Sequence, residues 1–465
     1  MKRKLPSLAG VFLVTVLPAW VIAAERAGQG APNTPQAQLA FPQAEGFGRF
    51  ARGGRGGDVY HVVNLQDDGV GSMREGIRTA IGPRTIVFDV SGTIELKSPL
   101  TVDKSFLTIA GQTAPGDGIC LKDQMFRIKN ASHVIVRYLR IRLGDQNKPP
   151  TAGPDCMNTE DIDHVIFDHL SASWGIDGNH DLRRGGNFTL QWSIYAEALN
   201  ESLHEKGSHA MLASFRDLTD NISLHHNLFA SSRERHPTLG GSPRTKPDAI
   251  VDFRNNVIYN LSGATNLGNC CINVINNLYR PGPNTPRDNH PLATKTENVG
   301  ALRVFLTGNI FEGQPAYSMD NPLAIDVDRW NKGSYLQTSL KNILAAVPFD
   351  VGMAEPSTEP AATDFERVLQ SAGASRKRDA ADSRLVTGVR DRTHRMIDSQ
   401  NEVGGWPLLA SAPAPLDTDQ DGMPDAWEEM HGLAVNNASD RNHDRDNDGY
   451  TNLEEYLNSL GTAKE

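Results

Sequence analysis

The 465-residue chain is poor in aromatic residues, at 7%, and carries no surplus of basic charge. It also has only four cysteines and, outside its first 25 residues, no apolar run of about 20. Each shortage excludes something. Without a second long apolar run, a membrane-spanning protein is excluded. With 46 Lys and Arg against 56 Asp and Glu, the chain lacks the basic excess that tracks phosphates, so nucleic acid is not a partner. A 38% hydrophobic content with ordinary charge excludes disorder, collagen and coiled coil. Helical periodicity is scarce before residue 363. What remains is a globular chain long enough for one large domain and a small one.

Charge is concentrated at one end. From Pro415 to Glu465 there are thirteen acidic and three basic residues, which accounts for the whole net charge of −10 and leaves the preceding chain neutral. Residues 1–24 read as an export signal: Lys2-Arg3-Lys4, an apolar stretch from Leu8 to Ile22, then Ala23 and Ala24 at the cleavage point. The mature protein is therefore expected outside the cytoplasm, secreted or periplasmic. Cys120, Cys156, Cys270 and Cys271 permit disulfides there, and their pairing stays open.

One pattern recurs along the middle of the chain: two apolar residues flanking one other, then a polar turn. It starts at Leu107, Val134, Val165, Phe188, Ile222, Val251, Ile272 and Val304, at gaps of 21 to 34 residues. Alternation with Val, Ile, Leu and Phe inward is strand periodicity. Strands joined by loops of variable length, without helices between them, predict a stacked parallel solenoid. Asn227, Asn256, Asn277 and Asn309 share one phase, so their amides are expected to hydrogen-bond along a column. A β-sandwich is the alternative, but it predicts no phased Asn column. Two helices, from Thr363 and over 380–390, are expected on the outside of the stack, and Ser411 to Pro415 form a stiff linker.

In a solenoid, residues at equal distance from the repeat share a face. Lys206 and Arg235 each precede a repeat start by 16 residues, so the two cations are expected on adjacent coils. Asp155 precedes its repeat by 10, and Asp177 and Asp181 precede theirs by 11 and 7. Three carboxylates without soft ligands suit Ca²⁺. Each Asp alone could equally be a turn residue; only the joint phase points to a metal.

These residues carry a family resemblance. Gly153-Pro-Asp-Cys-Met-Asn-Thr-Glu-Asp-Ile-Asp-His-Val-Ile-Phe-Asp-His169, followed by Ser-Trp-Gly-Ile-Asp177-Gly-Asn-His-Asp181, resembles the calcium-binding region of pectate lyases of polysaccharide lyase family 1. Glu205-Lys206-Gly-Ser-His209, His225-His-Asn-Leu-Phe229, Arg233-Glu-Arg235-His-Pro237 and Phe253-Arg-Asn-Asn-Val-Ile-Tyr259 are similar to the same family in order and spacing, over residues 40 to 410. The resemblance implies an all-β fold, a right-handed parallel β-helix spanning 25–410 with peripheral helices. It implies a secreted enzyme cleaving polygalacturonate by calcium-assisted β-elimination. Asp155, Asp177 and Asp181 would be calcium ligands, Lys206 a carboxylate-binding lysine and Arg235 the catalytic base. Gly153 stands where relatives have another acidic ligand and Gly240 where some carry a second arginine, whose charge Arg233 or Arg244 could supply as substrate-binding residues.

Elimination removes a proton from the carbon beside a carboxylate, which adds negative charge to an anion; calcium and Lys206 would stabilise that charge. An arginine base is awkward because a free guanidinium keeps its proton beyond about pH 12. Two rivals use the same residues. A general base could be one of His169, His180, His204, His209, His225, His226 and His236, and a glycoside hydrolase could pair carboxylates among Asp155, Glu160, Asp161 and Asp163. A third reading is a non-catalytic carbohydrate-binding adhesin.

The acidic end holds a second calcium pattern. Asp417, Asp419, Asp421, Asp425 and Glu428 occupy positions 1, 3, 5, 9 and 12 of an EF-hand loop with Gly422 at 6. Asp444, Asp446, Asp448, Asn452 and Glu455 repeat the arrangement 27 residues later around Gly449. With a linker at 411–416 in place of an entering helix, the module over 417–465 resembles dockerin-like or thrombospondin type 3-like calcium repeats. A structural cap, a surface-attachment tag and a docking module for a partner are all compatible with it.

Overall fold

Each repeat forms one rung of a parallel ladder. Leu107 pairs with Val134, and the register continues through Val165, Phe188, Ile222, Val251 and Ile272 to Val304. All eight starting residues are completely buried, which stabilises the stack by roughly 1.5–3 kcal/mol each. The computed structural model describes Met1 and residues 38–147, 153–330 and 335–461. Apart from Met1, the expected export segment lies outside them. From Gln38 onward the chain is one compact unit.

The ladder belongs to a parallel β-helix with one sheet of 16 strands and one of nine. The larger sheet forks. The strand Gly178–Gln191 is long enough to pair with both Met211–Arg216 and Ile222–His225. One branch runs on from Ile222–His225 through Ile250–Arg254 and Cys271–Ile275 to Arg303–Thr307, and this branch carries the sequence repeat. The other runs from Met211–Arg216 through Thr238–Leu239 and Thr265–Leu267 to Leu292–Thr294.

The corner after the repeat is held by the amide column. Asn227 Nδ2 donates to Asn256 Oδ1 (3.0 Å), Asn256 Nδ2 to Asn277 Oδ1 (2.9 Å) and Asn277 Nδ2 to Asn309 Oδ1 (2.9 Å). Asn321 extends the column by accepting from Asn309 (3.0 Å). The residue before each ladder Asn is left-handed, with φ of 55° at His226, 52° at Asn255, 51° at Asn276 and 66° at Gly308. Such a conformation costs a non-glycine residue roughly 1–2 kcal/mol, which the satisfied turn backbone offsets. On earlier coils the same corner carries stacked rings, Tyr138 on His169 at 4.6 Å and Trp192 on His226 at 4.3 Å.

Helices clothe the stack, so strands account for the stack and not for the whole chain. The two expected ones form as Ala361–Ser371 and Ala380–Arg390. Their Phe365, Val368, Leu369, Leu385 and Val389 pack on Ile194, Leu228, Val257 and Leu278 of the nine-stranded sheet. Buried Arg142 anchors the second helix through Asp379 (3.1 Å) and Asp382 (2.7 Å). Met73–Arg78 is a short helix that the sparse periodicity did not signal; Ser72 caps it by accepting from Glu75 N. All four cysteines are free thiols. Among the described residues no helix is long and apolar enough to cross a membrane.

The acidic C-terminal residues pack on the outer side of the first rungs. Met423, Leu453, Tyr456 and Leu457 bury themselves with Ala110, against which Val59 also packs. Arg55 Nε binds Glu454 at 2.8 and 2.9 Å, and Asn442 Nδ2 donates to Gly57 O at 3.2 Å. The segment before them is pinned where Asp117 N donates to Ala410 O (3.0 Å) and Ala410 N to Asp117 Oδ2 (2.8 Å).

Candidate active site and acidic loops

The fork sets the site. On the branch away from the repeat, Asp181 pairs with Ser214, Ser214 with Thr238, Thr238 with Asn266 and Asn266 with Ala293. The intervening Leu182, Phe215, Leu239 and Leu267 are core residues, so alternation turns Asp181, Ser214 and their column outward. Two residues along, Arg183 pairs with Arg216 on the same outer face.

Asp181 is the hub. Its Oδ2 accepts from Arg216 Nη2 at 2.9 Å and Arg183 Nη2 at 3.2 Å, and its Oδ1 lies 3.8 Å from Arg235 Nη1. Burial works against its charge, yet the guanidinium groups of Arg216, Arg235 and Arg183 outweigh burial and hold the carboxyl below its usual range. Arg235 also donates to Ser214 Oγ at 3.2 Å. Its backbone is left-handed (φ 61°), an unfavourable conformation for a side chain of this size, and its carbonyl accepts from Ala213 N.

Asp155 and Asp177 flank this hub. Burial, then Asp181 and Asp177, push the Asp155 carboxyl well above its ordinary value. Gly178 leaves the space into which the Asp155 carboxylate fits, since a Cβ there would stand 2.9 Å from Asp155 Oδ1. Asp177 Oδ1 meets His209 Nε2 at 2.5 Å and His204 Nε2 at 3.9 Å, and the two imidazoles stack at 3.8 Å. Among the described residues the tightest potential ligand group here is Asp177 with His204 and His209, and the three aspartates do not converge as closely as those three residues do. The donor set nevertheless suits a hard cation: two further carboxylates crowd Asp155, and the charges of Arg235 and Arg216 offset them only in part.

The remaining expected residues separate. Lys206 lies exposed on a turn, and its side chain has no hydrogen bond or ion pair among the described residues. The register pairs Met211 with Glu234, and the Arg235 carbonyl accepts from Ala213 N, so Arg235 does not lie opposite Lys206. Arg233 Nη1 is spent on Ser208 O and Oγ, both at 2.7 Å. Arg244 sits exposed on the loop after Gly241 and makes no such contact. The two glycines that depart from the family pattern have steric reasons: a Cβ on Gly153 would collide with Ile176, and one on Gly240 with Cys270 Sγ.

Sequence counting missed Arg216 and Lys295. Burial, then Arg235, push the Lys295 ammonium down to about 8. A count along the second branch would have found Arg216, two residues past Ser214. Three of the histidine rivals are packed away: burial pushes His180, His225 and His236 down to about 3, and His180 is held between Thr159 Oγ1 and Tyr195 OH at 3.0 Å each. The carboxylates of a hydrolytic pair are also engaged, Glu160 with Lys129 (2.9 Å), Asp161 with Arg184 (2.7 Å) and Asp163 with Asn187 (2.9 Å).

The two acidic loops fold alike. In the first, Asp417 accepts from Asp421 N (3.2 Å) and Gly422 N (2.9 Å); in the second, Asp444 accepts from Asp448 N (3.2 Å) and Gly449 N (2.9 Å). Gly422 and Gly449 adopt φ of 93° and 95°. Asp417, Asp419 and Asp421 converge, as do Asp421, Glu428 and Asp440, and likewise Asp444, Asp446, Asp448 and Glu455. Asp425 does not join them, because Thr418 N and Oγ1 engage its carboxylate at 2.7 Å each. Asp440, unmarked by the loop pattern, stands beside Asp421 and Glu428 instead. Asn452 gives its amide to Asp440 O (2.8 Å). Both Asp419 oxygens, Asp421 Oδ2, both Glu428 oxygens and Asp440 Oδ1 are buried without a hydrogen-bond partner. Burial and the adjoining carboxylates push Asp421 up to about 7 and Glu428 up to about 8. Unpartnered oxygens in this number fit a bound cation.

No family model matches the chain. A probable pectate lyase C of Aspergillus flavus is 35% identical over 437 residues, covering 91% of this chain and 94% of the relative. The protein of the same description from Emericella nidulans is 34% identical over 432 residues, covering 91% and 93%. Among solved structures, a thermostable pectate lyase aligns with a TM-score of 0.49 at 15% identity, over 72% of this chain and 98% of that one. With relatives a third identical along nine-tenths of both chains, this protein belongs to the pectate lyases, a family of polysaccharide lyases.

Proposed function

We propose that the protein is an exported, calcium-dependent lyase that cleaves de-esterified homogalacturonan by β-elimination. The observation that carries this reading is the outward cluster in which Arg235 reaches toward Asp181 beside the crowded carboxyl of Asp155. Asp155, Asp177 and Asp181 would hold the metal. Calcium bound there supplies positive charge against a uronate carboxylate and so acidifies the neighbouring C–H. Arg235, held in place by Ser214 Oγ, is the proposed base: with the charge of Asp181 taken up by the metal and further positive charge added beside it, the guanidinium proton is lost more readily to water, leaving a neutral guanidine to accept the proton from the C–H. The glycosidic C–O bond on the adjacent carbon then breaks, a carbon–carbon double bond forms, and the leaving oxygen takes a proton from water. Lys206, on its exposed turn, and Arg244, exposed on the loop after Gly241, are the proposed cations for substrate carboxylates; Arg233 would join them only by giving up its bonds to Ser208.

The C-terminal loops, through Asp417, Asp419, Asp421, Glu428 and Asp440 in one and Asp444, Asp446, Asp448 and Glu455 in the other, are proposed calcium sites with a structural role. Their apolar partners on the first rungs support a cap more than an attachment tag. The test is ultraviolet absorbance on polygalacturonate with and without chelator. Calcium-dependent growth of an unsaturated product is expected; chain cleavage without absorbance would make the enzyme a hydrolase.

A further inference from the structure

The outer face continues beyond Arg235. Asp181, Ser214, Thr238, Asn266 and Ala293 mark successive rungs, and Lys295 follows two residues after Ala293, its backbone N–H still bonded to Leu267 O at 2.7 Å. The rung of Lys295 lies three ladder steps from that of Ser214, about 14 Å at strand spacing.

The ammonium is held by rings. Lys295 Nζ sits 4.2 Å from the centre of Trp330 and 5.3 Å from that of Tyr335, and the two rings lie 6.3 Å apart at 63°. Trp330 is fixed to the face: its Nε1 donates to Asn266 Oδ1 at 2.8 Å, and Asn266 Nδ2 donates to Thr238 Oγ1 at 3.1 Å. Lys295 is half-buried and has no carboxylate within ion-pair distance among the described residues; burial and Arg235, with Arg216, oppose its charge more than Glu234 and Glu297 support it. A half-buried cation among other cations is costly unless an anion joins it. Aromatic faces beside it suit a ring with apolar C–H edges. An anionic sugar offers both.

We propose that Lys295, Trp330 and Tyr335 form a distal subsite that binds the carboxylate and ring face of a uronate unit remote from the bond cleaved. The proposal rests on the lyase reading above. Lys295 here is a substrate-binding group and takes no part in proton transfer.

The test compares the full chain with Lys295→Gln, Lys295→Arg and Trp330→Phe, using polygalacturonate and trigalacturonate, with exposed Lys341→Ala as control. For Lys295→Gln the KM for polygalacturonate should rise ~10-fold with kcat within twofold, equivalent to ~1.4 kcal/mol of binding. KM for trigalacturonate, too short to occupy both places, should hold. Lys295→Arg should restore most of the loss, and Trp330→Phe should raise KM several-fold, which keeps the test open if Lys295→Gln misfolds. An active wild type whose variants keep KM and product lengths overturns the subsite alone. A wild type inactive on polygalacturonate overturns the lyase reading instead. In that event retardation in gels containing polygalacturonate still decides the subsite, since equal retardation of wild type and Lys295→Gln rejects it.

Discussion

Two groups of carboxylates in this molecule meet the same physical problem in opposite ways. On the outer face, Asp181 is surrounded by Arg216, Arg183 and Arg235, so its charge is stable before any ligand arrives. In the first C-terminal loop, Asp419, Asp421, Glu428 and Asp440 have buried oxygens with no cation and no hydrogen bond. The second loop lies between them, since Arg445 Nη2 donates to Glu455 Oε2 at 2.8 Å. A pre-neutralised cluster can release and recapture a cation during turnover. A cluster without counter-charge depends on its cation to stay folded. The face is thus suited to exchange and the loop to permanent binding.

The largest effect that could break this contrast is on rate. Arg235→Ala should lower turnover by ~10²–10⁴-fold while leaving the melting temperature unchanged, because its side chain makes one hydrogen bond and one long ion contact. Comparable turnover in that variant would remove the face from the chemistry. Next is the loop. Calcium at about 100 times its dissociation constant should add ~2.7 kcal/mol to unfolding, read by calorimetry. Glu428→Gln should reverse sign with conditions, stabilising the calcium-free protein by relieving repulsion and destabilising the loaded one.

A smaller effect sharpens the difference. Arg216→Met takes a counter-charge from Asp181, so the calcium concentration giving half-maximal activity should fall several-fold as the face comes to resemble the loop. The smallest expected effect is a control. Asp364 is a buried carboxyl outside both clusters, 3.6 Å from His226 Nε2 and 3.8 Å from Arg367 Nη1, and burial pushes it up to about 7. Because the folded value exceeds the unfolded one, this carboxyl costs no stability below about pH 4; the cost grows as pH rises toward 7 and is then constant. Asp364→Asn should therefore gain ~1 kcal/mol at about pH 8 and nothing near pH 4, with or without calcium.

The repeat was legible because each inward residue had to be apolar at a fixed phase, and the eight starts fall in one ladder column. The asparagine column was legible for the same reason, although Asn321, which extends it, lacks the repeat around it. The site was only partly legible. Phase was counted from the branch that carries the repeat, whereas Asp181 lies in the part of Gly178–Gln191 that pairs with the other branch, and Arg216 and Arg235 lie on or beside that branch's own strands, which are two to six residues long and leave little pattern. This is why Lys206 and Arg235 matched in the count yet do not align in the register. Lys295 was hidden because its aromatic partners lie 35 and 40 residues on, and Asp440 because it stands outside both loop patterns. Asp425 misled because a loop position specifies spacing but not where a carboxylate turns.

The contact between Leu453 to Leu457 and the rungs at Val59 and Ala110 brings together residues nearly 400 positions apart. Such closure has a high entropic cost and forms late in folding. During synthesis the opening strand Asp58–Val62, an edge of its sheet, emerges long before its cover. Until the final helix arrives, that edge stays available for wrong pairing. Truncation at the end of the chain should therefore be felt at its beginning, as aggregation during production.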